Sequence, residues 1–253
     1  IYCDSITHDI IDILPDRRQF KLKEYFLRFS RKQRKNVKSI SIDMYVPYIS
    51  LIESLFPEAK IIIDSFHIVQ AITREINRTR IKVMNEIRRK DRPNYNKLKR
   101  YWKLLLKKPH DLNRMHYHQF RLFSTWQSQY SLVQYLLSLD DQLKATYEMG
   151  HLILESLKSN NIKQLTYSLY TSKKHDLSKG LKRVINTLIK FLPYITNTIR
   201  YPHLTNGPIE GINNKIKLIK RVSYGYRNFY NFRNRISIIS RIFVSEYKKI
   251  LSN

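Results

Sequence analysis

The sequence predicts an α/β protein in which helices predominate. Residues 1–68 alternate short β-like runs with helical ones, residues 69–203 keep a helical apolar period, and residues 204–253 form two helices joined by a turn. The chain has 253 residues, enough for one large domain or two ordinary ones, and its hydrophobic fraction of 42% excludes a wholly disordered chain. We therefore predict three segments with these bounds.

The first segment contains a strand–helix–strand unit. Val37–Asp43 alternates apolar and polar residues, Pro47–Phe56 is a short helix, and Lys60–Asp64 has the continuous apolar run of a strand buried on both faces. Ahead of this unit, Ile10–Leu14 predicts a short strand and Phe20–Phe29 a helix. A helix between two strands predicts that the strands are parallel, with a right-handed crossover.

The middle segment is predicted to be all-helical. Its first stripe of apolar residues consists of Ile68, Ile72, Ile76, Val83 and Ile87. Loops are predicted near Lys90–Asn96, Pro109–Asn113 and Ser172–His175.

The charge of the chain indicates a polyanionic partner. There are 47 Lys and Arg against 20 Asp and Glu, a formal net charge of +27, and the usual polyanion is nucleic acid. An aromatic content of 12% does not fit a histone-like tail. A single cysteine, Cys3, excludes an internal disulfide and a cysteine-rich zinc site, and no run approaches the length of a membrane span. We therefore expect a cytoplasmic protein with no membrane partner.

Two aspartates end the two predicted parallel strands. Asp43 and Asp64 would lie at the carboxyl edge of the sheet, where ligands gather in open α/β sheets. Each of them could instead cap the helix that follows it.

The segment Thr205–Lys220 predicts a helix with two faces. One stripe is apolar and consists of Ile209, Ile212, Ile216 and Ile219. The other begins with a carboxylate and continues with amide and basic groups, and it consists of Glu210, Asn214, Lys217 and Arg221. This pattern suits a metal-binding end with a phosphate-binding flank, and it equally suits an amphipathic helix whose Glu complements the helix dipole.

Three stretches together resemble the DDE transposases of the ISL-three insertion-sequence family. They are SIDMYVPY with FPEAKIIIDSFHIVQ, the segment TNGPIEGINNKIKLIKRVSYGYRNFYNFRNRI, and the opening IYCDSITHDIIDILPDRR. The resemblance implies an RNase H-like (retroviral-integrase-like) core lacking its first strand. It also makes residues 1–68 part of that core, 69–203 a large all-α insertion, and 204–253 the catalytic and closing helices.

The resemblance also implies a mechanism and a ligand set. Carboxylates of such enzymes hold two Mg²⁺ or Mn²⁺ ions about 4 Å apart, which serve cleavage at the transposon ends and strand transfer into target DNA. Mapped by strand order, the catalytic and metal-binding carboxylates are Asp43 and Glu210. Asp64 and His67 resemble an element found beside the active site, and Asp64 is the alternative ligand to Asp43.

The first carboxylate of the family has no counterpart here. It lies on a strand upstream of the hairpin with which this sequence opens, and Asp4 occupies a later strand. The resemblance therefore implies a C-terminal portion of a transposase, which we expect to be inactive as given.

Basic residues on and after the predicted catalytic helix are the expected DNA contacts. They are Asn214, Lys217, Arg221, Arg227 and Arg233, and most of the neighbouring aromatic residues are assigned to packing. The partners implied are transposon-end and target DNA and a second copy of the chain, in the bacterial cytoplasm with the nucleoid. Two alternatives remain open: a non-catalytic DNA-binding remnant or regulator, and an RNase H-like nuclease.

Overall fold

The computed structural model describes residues 1–204 and 206–240, so Thr205 and the end of the predicted closing segment, 241–253, lie outside the described residues. The chain divides into two compact units. Unit 1 contains residues 1–64 and the residues from 201 onward, and unit 2 contains residues 65–200. The three domains inferred from the sequence stay a prediction.

Helices predominate among the described residues, as predicted. The strands are β1 (Tyr2–Cys3), β2 (Ile10–Asp12), β3 (Ser39–Ile42) and β4 (Lys60–Ile63). The helices are α1 (Gln19–Phe26), α2 (Arg31–Lys35), α3 (Val46–Leu55), α4 (Ser65–Ile87), α5 (Arg92–Arg100), α6 (Trp102–Leu106), α7 (Gln129–Leu137), α8 (Asp141–Lys158), α9 (Ile162–Thr171), α10 (Lys179–Lys190), α11 (Leu192–Arg200), α12 (Gly207–Val222) and α13 (Phe229–Ile239). No helix of the described part is both long enough and apolar enough to cross a membrane.

The predicted strand–helix–strand unit is present in unit 1. β3 and β4 pair in parallel, with Ile42 opposite Ile63, and α3 connects them. The β4 side chains are almost fully buried after Lys60, as its continuous apolar run predicted. β1 and β2 form a separate antiparallel pair, so the described strands make two two-stranded sheets. The RNase H-like core therefore stays a prediction.

The hairpin of β1 and β2 packs against the last two described helices. Its Ile10 and Ile13 form a buried cluster with Ile219 of α12 and Ile236 of α13. In the turn of the hairpin, the Asp4 carboxylate accepts hydrogen bonds from two backbone N–H groups, which lower its pKa. Asp4 thus has a local structural role in this turn.

Unit 2 is a helical assembly built around α4. The loop expected over Lys90–Asn96 is shorter than predicted, because Asp91 caps α5 and Pro93 fits its first turn. At Gly180 of α10 the backbone approaches the buried carboxylate of Glu75 so closely that an added Cβ would overlap it.

A buried histidine connects two helices of unit 2. His151 of α8 lies 3.1 Å, by its Nε2, from the carbonyl oxygen of Leu105 in α6. Burial lowers the pKa of His151, so the neutral ring is the form that fits this site.

Candidate metal centre and basic surface

The carboxyl edge of the parallel pair carries both aspartates. Asp43 follows Ile42 directly and Asp64 follows Ile63, and the backbone N–H of Asp64 donates to the carbonyl oxygen of Ile42 at 3.0 Å. Asp64 is 7% exposed, whereas Asp43 is open to solvent. Parallel pairing in register therefore brings together two carboxylates that are 21 positions apart in the sequence.

His67 accompanies this pair through the local path of the chain. It lies three residues after Asp64, in the first turn of α4. One ligand atom from each of Asp43, Asp64 and His67 lies within 4.8 Å of the others. The structure thus places both residues of the Asp64-x-x-His67 element next to Asp43.

The start of α12 lies against the same edge. Asn206, the N-cap residue of α12, donates from Nδ2 to Asp43 Oδ1 at 3.2 Å. Its own Oδ1 is buried and has no hydrogen-bond partner among the described residues. In the sequence, Asn206 lies within the predicted helix over Thr205–Lys220, and nothing in the local pattern indicated this contact.

Glu210 is one helical turn beyond that contact. Its backbone N–H donates to the carbonyl oxygen of Asn206 at 3.1 Å, and its side chain is exposed in the first turn of α12. The contact between Asn206 and Asp43 therefore holds the Glu210 end of the helix near the strand edge. Convergence of the Asp43 and Glu210 carboxylates on one metal site stays a prediction.

The donors at this edge fit a divalent cation. Two carboxylates supply the hard oxygen ligands that Mg²⁺ and Mn²⁺ prefer, and a ring nitrogen of His67 adds a donor that suits Mn²⁺ better than Mg²⁺. The buried and unpartnered Oδ1 of Asn206 is a further oxygen beside Asp43. A cation at this edge would neutralise the two closely spaced carboxylates.

The remaining face of α12 is polar and strongly basic. Asn214, Lys217 and Arg221 are exposed along it, opposite the apolar stripe that ends in the buried Ile219. Over 206–240 there are seven Lys or Arg against the single carboxylate of Glu210, a surplus of 7 − 1 = 6 positive charges. Arg227, in the turn after α12, is exposed as well.

Arg233 differs from the other predicted DNA contacts. Its Nη2 lies 2.7 Å and its Nε 3.2 Å from Oδ1 of Asp12, at the end of β2. Asp12 also accepts a hydrogen bond from the Tyr25 hydroxyl at 2.7 Å. Although burial acts against it, the hydrogen bonds from Arg233 and Tyr25 hold the pKa of the Asp12 carboxyl below its usual value. Burial, together with the bond to Asp12, raises the pKa of Tyr25 to about 12.

Most aromatic residues after α12 pack, as the sequence predicted. Tyr226, Phe229 and Phe232 lie against the buried cluster of unit 1. Tyr224 and Tyr230 are exposed, and Tyr224 has a φ of 54°, in the left-handed region, directly before Gly225.

Comparison with known proteins finds a family whose model matches nearly the whole chain. The model of a family described as "Transposase", the ISL3 family of DDE transposases, matches residues 1–236. The transposase for insertion sequence element IS1001 of Bordetella parapertussis is 29% identical over 229 residues, which are 90% of this chain and 53% of that protein. A protein of Lactococcus lactis subsp. lactis named "ATP-dependent protease" is 39% identical over 98 residues, which are 39% of this chain and 27% of that protein. No solved structure matches.

The protein is thus of the transposase class. The chain belongs to the ISL-three family, because the family model covers nearly all of it. It spans about half the length of the IS1001 transposase and about a quarter of the Lactococcus protein.

Proposed function

We propose that this chain forms part of the catalytic region of a DDE transposase that cleaves transposon ends and joins them to target DNA with divalent metal ions. The observation that carries the proposal is the strand edge, where ligand atoms of Asp43 and Asp64 lie within 4.8 Å. Asn206 connects the start of α12, and with it Glu210, to this edge. An RNase H-like core and a homodimeric transposition complex belong to the same proposal.

The roles of the residues follow from their positions. Asp43 and Glu210 would hold the metal, and Asp64 and His67 would complete or orient the ligand set. When bound, Mg²⁺ or Mn²⁺ activates the attacking oxygen and stabilises the leaving oxygen of an in-line displacement at phosphorus. Lys217 and Arg221, farther along α12, would bind the phosphates that flank the reacting one.

Metal binding is the first test. Mn²⁺ titrated into the protein and followed by electron paramagnetic resonance should bind, and Asp43→Asn should weaken this binding at least tenfold, because it removes a charged ligand. Glu58→Gln is the matched control, since Glu58 is exposed between α3 and β4, at the opposite end of the strand pair. Equal Mn²⁺ affinity in wild type and Asp43→Asn would remove Asp43 from the site.

Transposition in cells tests the chemistry. A marked element whose transposase carries Glu210→Gln or Asp43→Asn should transpose at least a hundredfold less often, whereas Glu58→Gln should leave the frequency unchanged. Undiminished transposition with Glu210→Gln would refute the proposed mechanism. Loss of transposition with Glu58→Gln as well would show that the assay reports protein level, which immunoblotting measures in parallel.

DNA binding is tested by its dependence on salt. The log–log slope of affinity against salt concentration should fall by up to about 1.8 in the double variant Arg221→Gln, Arg227→Gln, at about 0.9 for each phosphate that the variant no longer neutralises. The control double variant, Arg31→Gln with Lys32→Gln, removes the same charge from the exposed face of α2. A slope that falls equally in both double variants would show that net charge, rather than this surface, drives the binding.

A further inference from the structure

We propose that Asn206 is a positioning residue of the metal centre: it orients the Asp43 carboxylate, fixes the first turn of α12 beside it, and offers its carbonyl oxygen to the hydrated cation. The inference rests on the proposed metal centre at Asp43. Asn206 is not one of the carboxylate residues of the DDE mechanism, so this role is additional to theirs.

Asn206 does not act as an ordinary helix cap. An Asn at an N-cap position normally accepts a hydrogen bond from a backbone N–H of the first helical turn. Asn228 does so at the start of α13, where its Oδ1 accepts from the backbone N–H of Tyr230 at 2.8 Å and of Asn231 at 3.3 Å. Asn206 occupies the equivalent position on α12, and its side chain makes no such bond.

The Asn206 amide instead contacts the carboxylate of Asp43. Its Nδ2 donates to Asp43 Oδ1 at 3.2 Å, a contact between residues 163 positions apart in the sequence. An ionised carboxylate only accepts hydrogen bonds, so the amide nitrogen must be the atom that faces it. The assignment of nitrogen and oxygen in this amide is therefore fixed by Asp43.

This assignment leaves the amide oxygen of Asn206 without a partner among the described residues, and this Oδ1 is buried. A buried polar atom without a partner costs free energy, so it needs a compensating role. Mg²⁺ and Mn²⁺ accept carbonyl oxygen ligands, and their bound waters are hydrogen-bond donors, so a hydrated cation beside Asp43 would supply the missing partner.

These contacts connect the two halves of the proposed ligand set. Asn206 holds Asp43 by its side chain, and its backbone carbonyl accepts the N–H of Glu210. A change at Asn206 should therefore weaken metal binding even though both carboxylates remain. Mutation of a residue that hydrogen-bonds to a metal ligand typically lowers metal affinity by about 10–100-fold.

The experiment separates positioning from helix stability with three variants. Asn206→Ser keeps a good N-cap residue on α12 but is too short to reach Asp43. It should lower Mn²⁺ affinity about tenfold or more, measured by electron paramagnetic resonance, and leave the unfolding midpoint without Mn²⁺ unchanged or higher. Asn228→Ala, the matched control, removes a working cap from the neighbouring helix. It should lower the unfolding midpoint by about 2–4 °C and leave Mn²⁺ affinity unchanged.

The conservative variant Asn206→Asp gives a second readout. A carboxylate at this position retains the reach of the amide but repels Asp43, so the protein without metal should unfold at a lower temperature. Bound Mn²⁺ removes the repulsion, and the rise in unfolding midpoint on adding Mn²⁺ should exceed that of the wild type.

The outcomes distinguish this inference from the proposal on which it rests. If Asp43→Asn abolishes Mn²⁺ binding and Asn206→Ser binds Mn²⁺ like the wild type, the role of Asn206 is refuted and the metal centre stands. If the wild type binds no Mn²⁺, the metal centre and this inference are both refuted. If Asn228→Ala weakens Mn²⁺ binding as much as Asn206→Ser does, the effect reflects general loosening of unit 1, and the specific role of Asn206 is refuted.

Discussion

Replacing Arg233 with Met should destabilise unit 1 and have little effect on DNA binding. The guanidinium donates two hydrogen bonds to one oxygen of Asp12, which joins α13 to the end of β2. Met retains an unbranched side chain of similar length, so the change removes the charge and the hydrogen bonds more than the packing. Although Arg233 was predicted as a phosphate contact, its ion pair with Asp12 makes it the least available of the predicted arginines.

The size of the effect follows from the exposure of the two partners. The side chain of Asp12 is 15% exposed and that of Arg233 is 39% exposed. Hydrogen bonds to charged groups contribute about 1.5–3 kcal/mol, and fully exposed ion pairs contribute about 0–1 kcal/mol. Because Arg233 is more than one-third exposed, solvent screening reduces the upper figure, and Tyr25 still donates to Asp12 in the variant. We expect a loss of about 1–2 kcal/mol, or roughly 2–8 °C in the unfolding midpoint.

The dependence on pH identifies the interaction. The pKa of Asp12 is lowered in the folded protein, so the contribution of the pair is full well above the ordinary Asp pKa of about 3.9. This contribution to stability is lost as the pH falls through the lowered pKa of Asp12 in the folded protein. The difference in unfolding free energy between wild type and Arg233→Met, measured in urea, should therefore be largest near neutral pH and shrink towards pH 3.

Arg235→Met provides the control. Arg235 lies two positions farther along α13, is exposed, and has no acidic partner among the described residues. Its replacement should change the unfolding free energy by less than about 0.5 kcal/mol. Equal stability of the two variants, or a difference from wild type that does not depend on pH, would refute the role given to the pair with Asp12.

Two further predictions concern close packing and protonation. Gly180→Ala should give a lower unfolding free energy in urea than Gly211→Ala, because the methyl group added at Gly180 would have to displace the Glu75 carboxylate, whereas Gly211→Ala, with open space around its Cα, should stabilise α12 by about 0.5–1 kcal/mol. Equal effects of the two alanines would contradict the packing at Gly180. Because the pKa of His151 is lowered in the folded protein, this side chain takes up a proton below about pH 6.5 in the unfolded chain while it stays neutral in the folded protein, so the wild type should lose stability from pH 7 to pH 5. His151→Gln should lose less over the same range, and an identical pH dependence would refute this assignment.

Local patterns predicted the elements of the site well. The alternation in β3 and the continuous apolar run in β4 have the period of strands, and their connection by one short helix requires parallel pairing. Asp43 and Asp64 were therefore predicted at one sheet edge, where the structure has them. In α12 the helical period separated an apolar stripe from a polar one, and the structure buries Ile219 and exposes Arg221 accordingly.

Local sequence patterns did not predict the contacts between segments that are distant in the sequence. The sequence assigned Arg233 to DNA because basic residues alternate with aromatic ones there, and nothing in the local pattern indicated Asp12, 221 positions away. For the same reason, nothing in the pattern of the predicted helix over Thr205–Lys220 indicated the contact of Asn206 with Asp43.

The sequence by itself determined which residues face the core, which face solvent, and which carboxylates end the parallel strands. These features depend on the period of the backbone and on burial of apolar area, and both act over a few neighbouring residues. Only the tertiary structure decided which polar groups are paired, with Asn206 on Asp43 and Arg233 on Asp12. Hydrogen bonds and ion pairs require a distance of about 3 Å and a defined direction, and only the packing of whole elements brings distant side chains into that geometry.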